Sequence, residues 1–316
     1  MENKEELEFD TVILGAGPAG FSAALYAARG NLKTAIIDIN MFGGQPSNYL
    51  EIENYPGFSK IGGCDLMEKF EEHADNFNVE KFPMVEIIKA DLTSVPKIIE
   101  TTDTIFKAKS VIIATGASPK KLGIKGEDEY KCRGVSYCAV CDGAFYKDRT
   151  VAVVGGGNAA VEEGMYLTKF AKKVYIIHRR DELRADKIVQ QRAFANEKIE
   201  FVLSAIPLEI KGEDTVKTLV IKDLKTNEEK NIQTDGVFPY IGFTPNVDLF
   251  GNQLKLNQQG FIETDVNMQT SIEGVFAAGD VRNTPLRQVI TAAADGAIAA
   301  CSAVKYVDSL NPAFVK

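Results

Sequence analysis

The sequence predicts an α/β chain carrying two Rossmann-like dinucleotide-binding domains, and three observations predict it. A short apolar run passes through a glycine turn into a helix twice, over residues 9–29 and again over residues 150–168. Each of these segments is followed by another short apolar run, residues 34–37 and 173–177, as a parallel βαβ arrangement requires. The chain has 316 residues, 45% of them hydrophobic, enough for two domains with cores of their own.

In the first segment, residues 9–14 read as a buried strand running into Gly15-Ala16-Gly17-Pro18-Ala19-Gly20, and residues 21–29 as a helix. Glycine at 15 permits the tight turn, glycine at 17 lets a pyrophosphate approach the backbone, and glycine at 20 lets helix and strand pack closely. The phosphates then meet the unpaired amides of a helix N-terminus. The strand at residues 34–37 ends in Asp38, the place for an acid that grips a ribose 2′-hydroxyl. Gly43-Gly44-Gln45 and Asn54 follow in loops rich in turn formers and amides. Taken alone, Gln45 and Asn54 read as ordinary loop capping, though their side chains can also donate and accept along the edge of a flavin or its ribityl chain. Residues 64–78 read as an amphipathic surface helix in which neither Cys64 nor His73 acquires a role. Short β pieces fill residues 85–107, a buried strand at residues 109–114 ends in Ala114-Thr115-Gly116, and residues 118–126 read as a linker.

The second fingerprint is Gly155-Gly156-Gly157-Asn158-Ala159-Ala160, between a strand at residues 150–154 and a helix at about residues 161–168. Ala160 stands where glycine is commoner, a change the motif tolerates. The next strand ends in His178-Arg179-Arg180, with Arg184 one helical turn on, where an acid would select an unphosphorylated ribose. Arginines there pair instead with a 2′-phosphate, through charge-assisted bonds worth about 1.5–3 kcal/mol each, so the second site prefers NADPH. The alternative is a solvated basic cluster facing Asp181, Glu182 and Asp186. Residues 199–237 read as β-strands with a hairpin near residues 225–227, and residues 238–245 as a strand leaving the second domain. Near the end, Gly279-Asp280 closes a short strand ahead of a helix over about residues 287–304, offering amides and an acid to a cofactor.

Between the fingerprints lies Cys138-Ala139-Val140-Cys141-Asp142. Cysteines two residues apart can close a small disulfide ring, and such a motif lowers one thiol's pKa enough to make it a nucleophile. A zinc site needs four ligands, whereas the remaining cysteines, Cys64, Cys132 and Cys301, are scattered and the chain has two histidines. An inert thiol pair is the other reading; Asp142, placed to take and give protons, speaks against it. The net charge of −8 argues against nucleic acid or an anionic membrane as partner. The acidic N-terminus lacks the order of a signal peptide, and no apolar run approaches bilayer-spanning length. Five cysteines without a regular framework fit a reducing cytoplasm, so a disulfide here is catalytic and transient.

Taken together, Gly15 to Gly20, Gly43 to Gln45, Glu53 to Phe58, Ala114 to Gly116, Cys138 to Asp142, Gly155 to Ala160, His178 to Arg184, and Gly274 to Asp280 with Arg287-Gln288-Val289 stand in a familiar order. The chain resembles the low-molecular-weight thioredoxin reductases of the pyridine nucleotide-disulfide oxidoreductases over nearly its full length. The resemblance implies two three-layer ββα domains, the second inserted into the first. FAD would sit on residues 1–118 and 248–316, and NADPH on residues 119–247, which also carry the redox pair. It implies that the first fingerprint, Gln45, Asn54, Thr115 and Asp280 hold FAD, with Arg287, Gln288 and Val289 at the flavin's pyrimidine end. It further implies that Cys141 faces the flavin, Cys138 attacks the disulfide of thioredoxin, Asp142 manages protons, and the inserted domain swings between two orientations in a homodimer. Pro46-Ser47-Asn48-Tyr49-Leu50 departs from a threonine-rich stretch common in the family, and Val140 from a frequent threonine.

Three rivals remain. A flavin-dependent NADPH reductase of a ferredoxin- or flavodoxin-type carrier shares the two-domain plan and needs no CxxC. The reductase component of a peroxide-reducing system carries an extra N-terminal thiol domain, for which a first strand at residue 9 leaves no room. A nucleotide-sensing module leaves the CxxC and the second cofactor site unexplained.

Overall fold

A computed structural model describes residues 4–49 and 52–310, and of Val140 and Cys141 the backbone alone. Leu50 and the Cys141 side chain, both singled out above, thus lie outside the described residues. The chain divides into two compact units, Met1–Ser118 with Thr244–Lys316, and Pro119–Phe243.

The larger unit opens with β1 (Glu5–Leu14), α1 (Pro18–Arg29), β2 (Thr34–Ile37) and α2 (Gly63–Asp75). There follow β3 (Glu80–Phe82), β4 (Ile87–Asp91), β5 (Lys97–Thr101) and β6 (Thr104–Ile113), and β7 (Ala117–Pro119) leads out. β1 begins ahead of residue 9 because Glu5 to Glu8 pair in register with Thr104 to Lys107. The sheet order is β3-β2-β1-β6-β5-β4. β6 is long enough to serve two neighbours on one edge. Its first half pairs antiparallel with β5. Its last three residues pair parallel with a strand from the far end of the chain, Val275–Ala277. A parallel core and an antiparallel extension thus share one strand.

Side chains alternate across this sheet with the period of two that a strand imposes. Ile13, Ile36 and Ile112 enter the core beneath the helices, while Val12, Leu14, Ala35, Ile37, Val111 and Ile113 enter the core on the other face. Burial on both faces is why these strands read as unbroken apolar runs.

The inserted unit contains α3 (Ala139–Asp142), β8 (Thr150–Val154), α4 (Asn158–Leu167), β9 (Lys173–His178), α5 (Lys187–Phe194) and β10 (Ile199–Leu203). β11 (Ala205–Gly212), β12 (Val216–Asp223), β13 (Glu229–Gln233) and β14 (Gly236–Pro239) complete it. A parallel sheet, β10-β9-β8-β14, is backed by the antiparallel sheet β11-β12-β13. Here too Ala152 and Val154 face the second sheet, while Val151 and Val153 face the helix side. The predicted exit strand is broken at residues 240–242, and β15 (Phe243–Pro245) pairs with β7, so the two chain crossings run side by side.

The larger unit closes with β16 (Val275–Ala277) and α6 (Val289–Ser309). The expectation that no apolar run reaches spanning length does not hold for α6, which is long and apolar enough by length and composition. Its hydropathy follows from its packing. Ala292, Ala299, Ala300 and Ala303 share a core with Ala19, Ala23 and Ala27 of α1. At Gly296 a Cβ would stand 2.1 Å from the Ala19 carbonyl oxygen. Small residues are what allow the two helices to approach so closely.

Candidate functional site

In the larger unit the structure gathers segments far apart in sequence around the β1–α1 turn. Gly15 has φ +105, and a Cβ on it would lie 2.3 Å from the Ala114 carbonyl oxygen. The Ala114-Thr115-Gly116 end of β6 therefore rests directly on the fingerprint. At Gly20 a Cβ would fall 1.8 Å from the Gly15 carbonyl oxygen, so α1 cannot close on the turn with any side chain there. Gly43 donates its amide to the Ala16 carbonyl at 3.0 Å, which lays Gly43 and Gly44 along Gly17. Asp38 accepts the Ala16 amide at 2.7 Å through one carboxylate oxygen and the Asn40 amide at 2.8 Å through the other. The acid predicted to reach a ribose thus also buttresses the turn.

On the other side of the fingerprint, a Cβ on Gly279 would stand 2.9 Å from Ala19 Cβ. Asp280 follows in a short 3-10 turn. Burial, more than any neighbour, pushes its carboxyl above the usual range, with Arg287 opposing and Asp295 reinforcing the shift. The Arg287 guanidinium lies over the Phe261 ring at 4.1 Å. Asn54 donates to Gln288 Oε1 at 2.8 Å, joining two predicted cofactor residues, and Val289 is the first residue of α6. Gln45 bonds the Ala117 carbonyl at 3.3 Å. Thr115 differs from expectation in the use of its hydroxyl, which donates to the Asn246 carbonyl at 2.7 Å while Asn246 returns a bond to the Thr115 carbonyl.

These residues fit a dinucleotide. The N-cap of α1 is Gly17, with Pro18 next and no side-chain cap, which leaves first-turn amides for an anion. A Cβ on Gly17 would meet only the Gly44 Cα, at 3.9 Å, so the ground above it is bare backbone.

The inserted unit repeats the device at the same spacing, with Ala160 in the last position. Gly157 caps α4 without a side chain, and a Cβ on it would meet nothing within 4 Å. α4 starts at Asn158, three residues before the predicted helix. A Cβ on Gly156 would fall 2.5 Å from the His178 ring, so the imidazole lies flat on the glycine turn. Burial holds His178 below its ordinary pKa, with Arg184, Arg180 and Arg179 adding to the shift. Three guanidinium groups therefore surround the end of β9, and among the described residues none of them forms an ion pair with an acid. Arg184 is not a helical turn beyond Arg180 as expected. Its amide donates to the Gly156 carbonyl at 2.7 Å, and Asn158 exchanges two bonds with Asp186. Those contacts fold residues 179–186 back over the fingerprint, and α5 begins only at Lys187. Ala159 is exposed and Ala160 buried, its methyl facing Gly155.

The CxxC segment is mounted on this unit. The Cys138 amide donates to Ser136 Oγ at 3.1 Å, and the Ala139 amide to the Tyr240 hydroxyl at 2.9 Å. Cys138 is not among the free thiols, which in the described residues are Cys64, Cys132 and Cys301. Asp142 closes α3 by donating its amide to the Cys138 carbonyl at 3.2 Å. Burial, and then the charge of Asp142, push the Tyr146 phenol up to about 12.

In the inserted unit two buried acids, Glu127 and Glu163, escaped the sequence reading. Glu127 accepts from the Tyr137 hydroxyl at 2.7 Å and from the amides of Leu122 and Gly123 at 2.8 and 2.7 Å, tying the approach to Cys138 to the linker. Glu163, three residues after Ala160 and four before Leu167, shares their buried side of α4. Its Oε2 has no hydrogen-bond partner, and burial pushes its pKa up to about 7. An acid spaced with apolar residues on a helix was the available signal.

These features, two dinucleotide folds with a CxxC on one of them, define a disulfide-handling nucleotide oxidoreductase. Residues 9–296 match the family described as pyridine nucleotide-disulphide oxidoreductase. A thioredoxin reductase of Bacillus subtilis is 48% identical over 308 residues, covering 97% of each chain. Another from Peptoclostridium acidaminophilum is 49% identical, covering 95% of this chain and 98% of its own. The crystal structure of Lactococcus lactis thioredoxin reductase matches with a TM-score of 0.92 at 46% identity, covering 95% of this chain and 99% of that one. The chain belongs to the pyridine nucleotide-disulphide oxidoreductases.

Glu163 gives a pH prediction. Its native pKa, about 7, lies above the ordinary 4.5, so between those values the native state keeps a proton that the unfolded state releases, and stability falls as pH rises. Glu163→Gln removes this slope. Denaturant unfolding at pH 5 and pH 8 should show the variant gaining roughly 2–3 kcal/mol on the parent between the two. A parent and variant with parallel pH profiles would contradict the assignment.

Proposed function

We propose that this chain is an NADPH-dependent thioredoxin reductase, a flavoprotein in which the Cys138 and Cys141 pair carries electrons to the disulfide of thioredoxin. The observation that carries the reading is the Cys138-to-Asp142 segment, anchored by Ser136 and Tyr240 on the unit that bears the arginine-lined fingerprint. The discontinuous unit holds FAD through the Gly15–Gly20 turn, Asp38, Gly43 to Gln45, Asn54, Ala114 to Gly116, Gly279, Asp280 and Arg287 to Val289. The inserted unit holds NADPH through the Gly155–Ala160 turn, His178, Arg179, Arg180 and Arg184. Bound there, the two cofactors would supply hydride chemistry and the electron pair that opens the Cys138–Cys141 disulfide.

The chain's own groups do the rest. At the first fingerprint, α1 amides meet the pyrophosphate, and the bare glycine backbone admits it. At the second, the unpaired guanidinium groups receive the 2′-phosphate. His178, its pKa lowered by burial and then by its arginine neighbours, adds a flat surface over Gly156. When the Cys138–Cys141 bond opens, two electrons and two protons are needed for the dithiol, and Asp142 stands beside the pair to hold and return a proton. The Cys138 thiolate attacks thioredoxin's disulfide, a mixed disulfide forms, and one partner sulfur leaves. Attack of Cys141 on Cys138 then releases the second partner sulfur and restores the internal disulfide. Net, one NADPH and one proton convert one thioredoxin disulfide to its dithiol. Three exposed free thiols suit a reducing cytoplasm, and a homodimer follows from the resemblance.

Cys138→Ser should abolish thioredoxin reduction, read as NADPH oxidation coupled to thioredoxin thiol formation, while diaphorase activity on an artificial acceptor persists. Retained thioredoxin turnover would refute the role. Replacing Arg179 and Arg180 together with alanine should lower the preference for NADPH over NADH in kcat/KM by about tenfold or more for each charge-assisted bond lost. Unchanged preference would move that task to other residues.

A further inference from the structure

Asp295 is an acid within the alanine-rich middle of α6, and its side chain is only 11% exposed. One of its oxygens accepts two donors from the segment after β16. These are the Gly279 amide at 3.2 Å and the Arg282 guanidinium at 3.0 Å. Arg282, itself 12% exposed, also donates to Thr264 Oγ1 at 2.8 Å. Gly279 and Arg282 bracket the short turn that contains Asp280. Asp295 therefore holds both ends of that turn against α6.

The location adds to the argument. Gly296, the next residue of α6, presses on the carbonyl of Ala19, and Gly279 presses on the Ala19 methyl. The first turn of α1, the Asp280 turn and the middle of α6 thus converge, and Asp295 is the charged group at the junction. A buried ion pair of this kind is weak evidence for stability, since apolar residues of similar volume pack as well. Directional bonds to a backbone amide and a guanidinium fix a geometry that apolar packing leaves loose.

We propose that Asp295, with Arg282, is a positioning pair for FAD, clamping the Gly279–Val281 turn so that Asp280 and the turn's amides meet the cofactor beside the first fingerprint. The inference rests on the flavoprotein reading above. Neither residue touches the cofactor in this account, and both act through the turn.

The test uses the full chain stripped of flavin and titrated with FAD, followed by flavin fluorescence, for the parent, Asp295→Asn, Arg282→Met and the double variant. Diaphorase kcat is measured at saturating FAD. The clamp predicts that each single substitution weakens FAD binding about tenfold or more, and that the double variant loses less than the sum, because the two residues act as one unit. Saturating FAD should restore kcat close to the parent value. FAD affinity within about twofold of the parent in both single variants overturns the proposal. So does flavin loss in both that saturating FAD cannot reverse, which marks a folding role only. A parent chain that takes up no FAD fails the flavoprotein reading itself, an outcome separate from any failure of the clamp.

Discussion

Each unit depends on one steric constraint, that a helix start and a strand end meet with no side chain between them. At Gly20 that constraint is absolute, because a Cβ would overlap the Gly15 carbonyl oxygen. In the inserted unit it is relaxed, and Ala160 occupies the corresponding position with its methyl against Gly155. Both junctions leave first-turn amides uncapped by side chains. The arrangement leaves polar groups unpaired within the protein, and an anionic ligand completes it. The strands beneath are buried on both faces, which holds the junction rigid.

Around the same constraint the two units differ in charge. The strand after the first fingerprint ends in Asp38, whose carboxylate is already engaged by two backbone amides. The strand after the second ends among Arg179, Arg180 and Arg184, and among the described residues none of the three forms an ion pair with an acid. Asp186, a candidate partner by sequence, is instead held by Asn158. One fold in two charge states can therefore accept two nucleotides, and in the proposed function the CxxC gives their electrons an outlet to a protein substrate.

The buried strands and both glycine turns were legible because period, burial and turn chemistry all leave marks in short stretches of sequence. β6 was less so. Its split allegiance to β5 and β16 depends on a partner more than 160 residues away, which no local pattern encodes. The fold-back of residues 179–186 was missed because it rests on side chains of Asn158 and Asp186 rather than on helical propensity. α6 passed unnoticed as a spanning-length helix because alanine and glycine read as small before they read as apolar. Glu127, Glu163 and Asp295 look like surface acids in the sequence, and only tertiary packing reveals them as buried. For Gln45, Asn54 and Asp280 a cofactor role came from the family resemblance alone, since their local spacing fits ordinary loop chemistry, and the commitment of the Thr115 hydroxyl to Asn246 left no mark in the sequence.

The most direct test of the account is an anaerobic titration of the purified protein with NADPH, following the flavin spectrum, with thioredoxin added at the end. Flavin and disulfide acting in series predict an uptake of two two-electron equivalents per chain, discharged when oxidised thioredoxin is added. Bleaching after a single equivalent, with no reoxidation by thioredoxin, would place the cysteines outside the electron path and contradict the account.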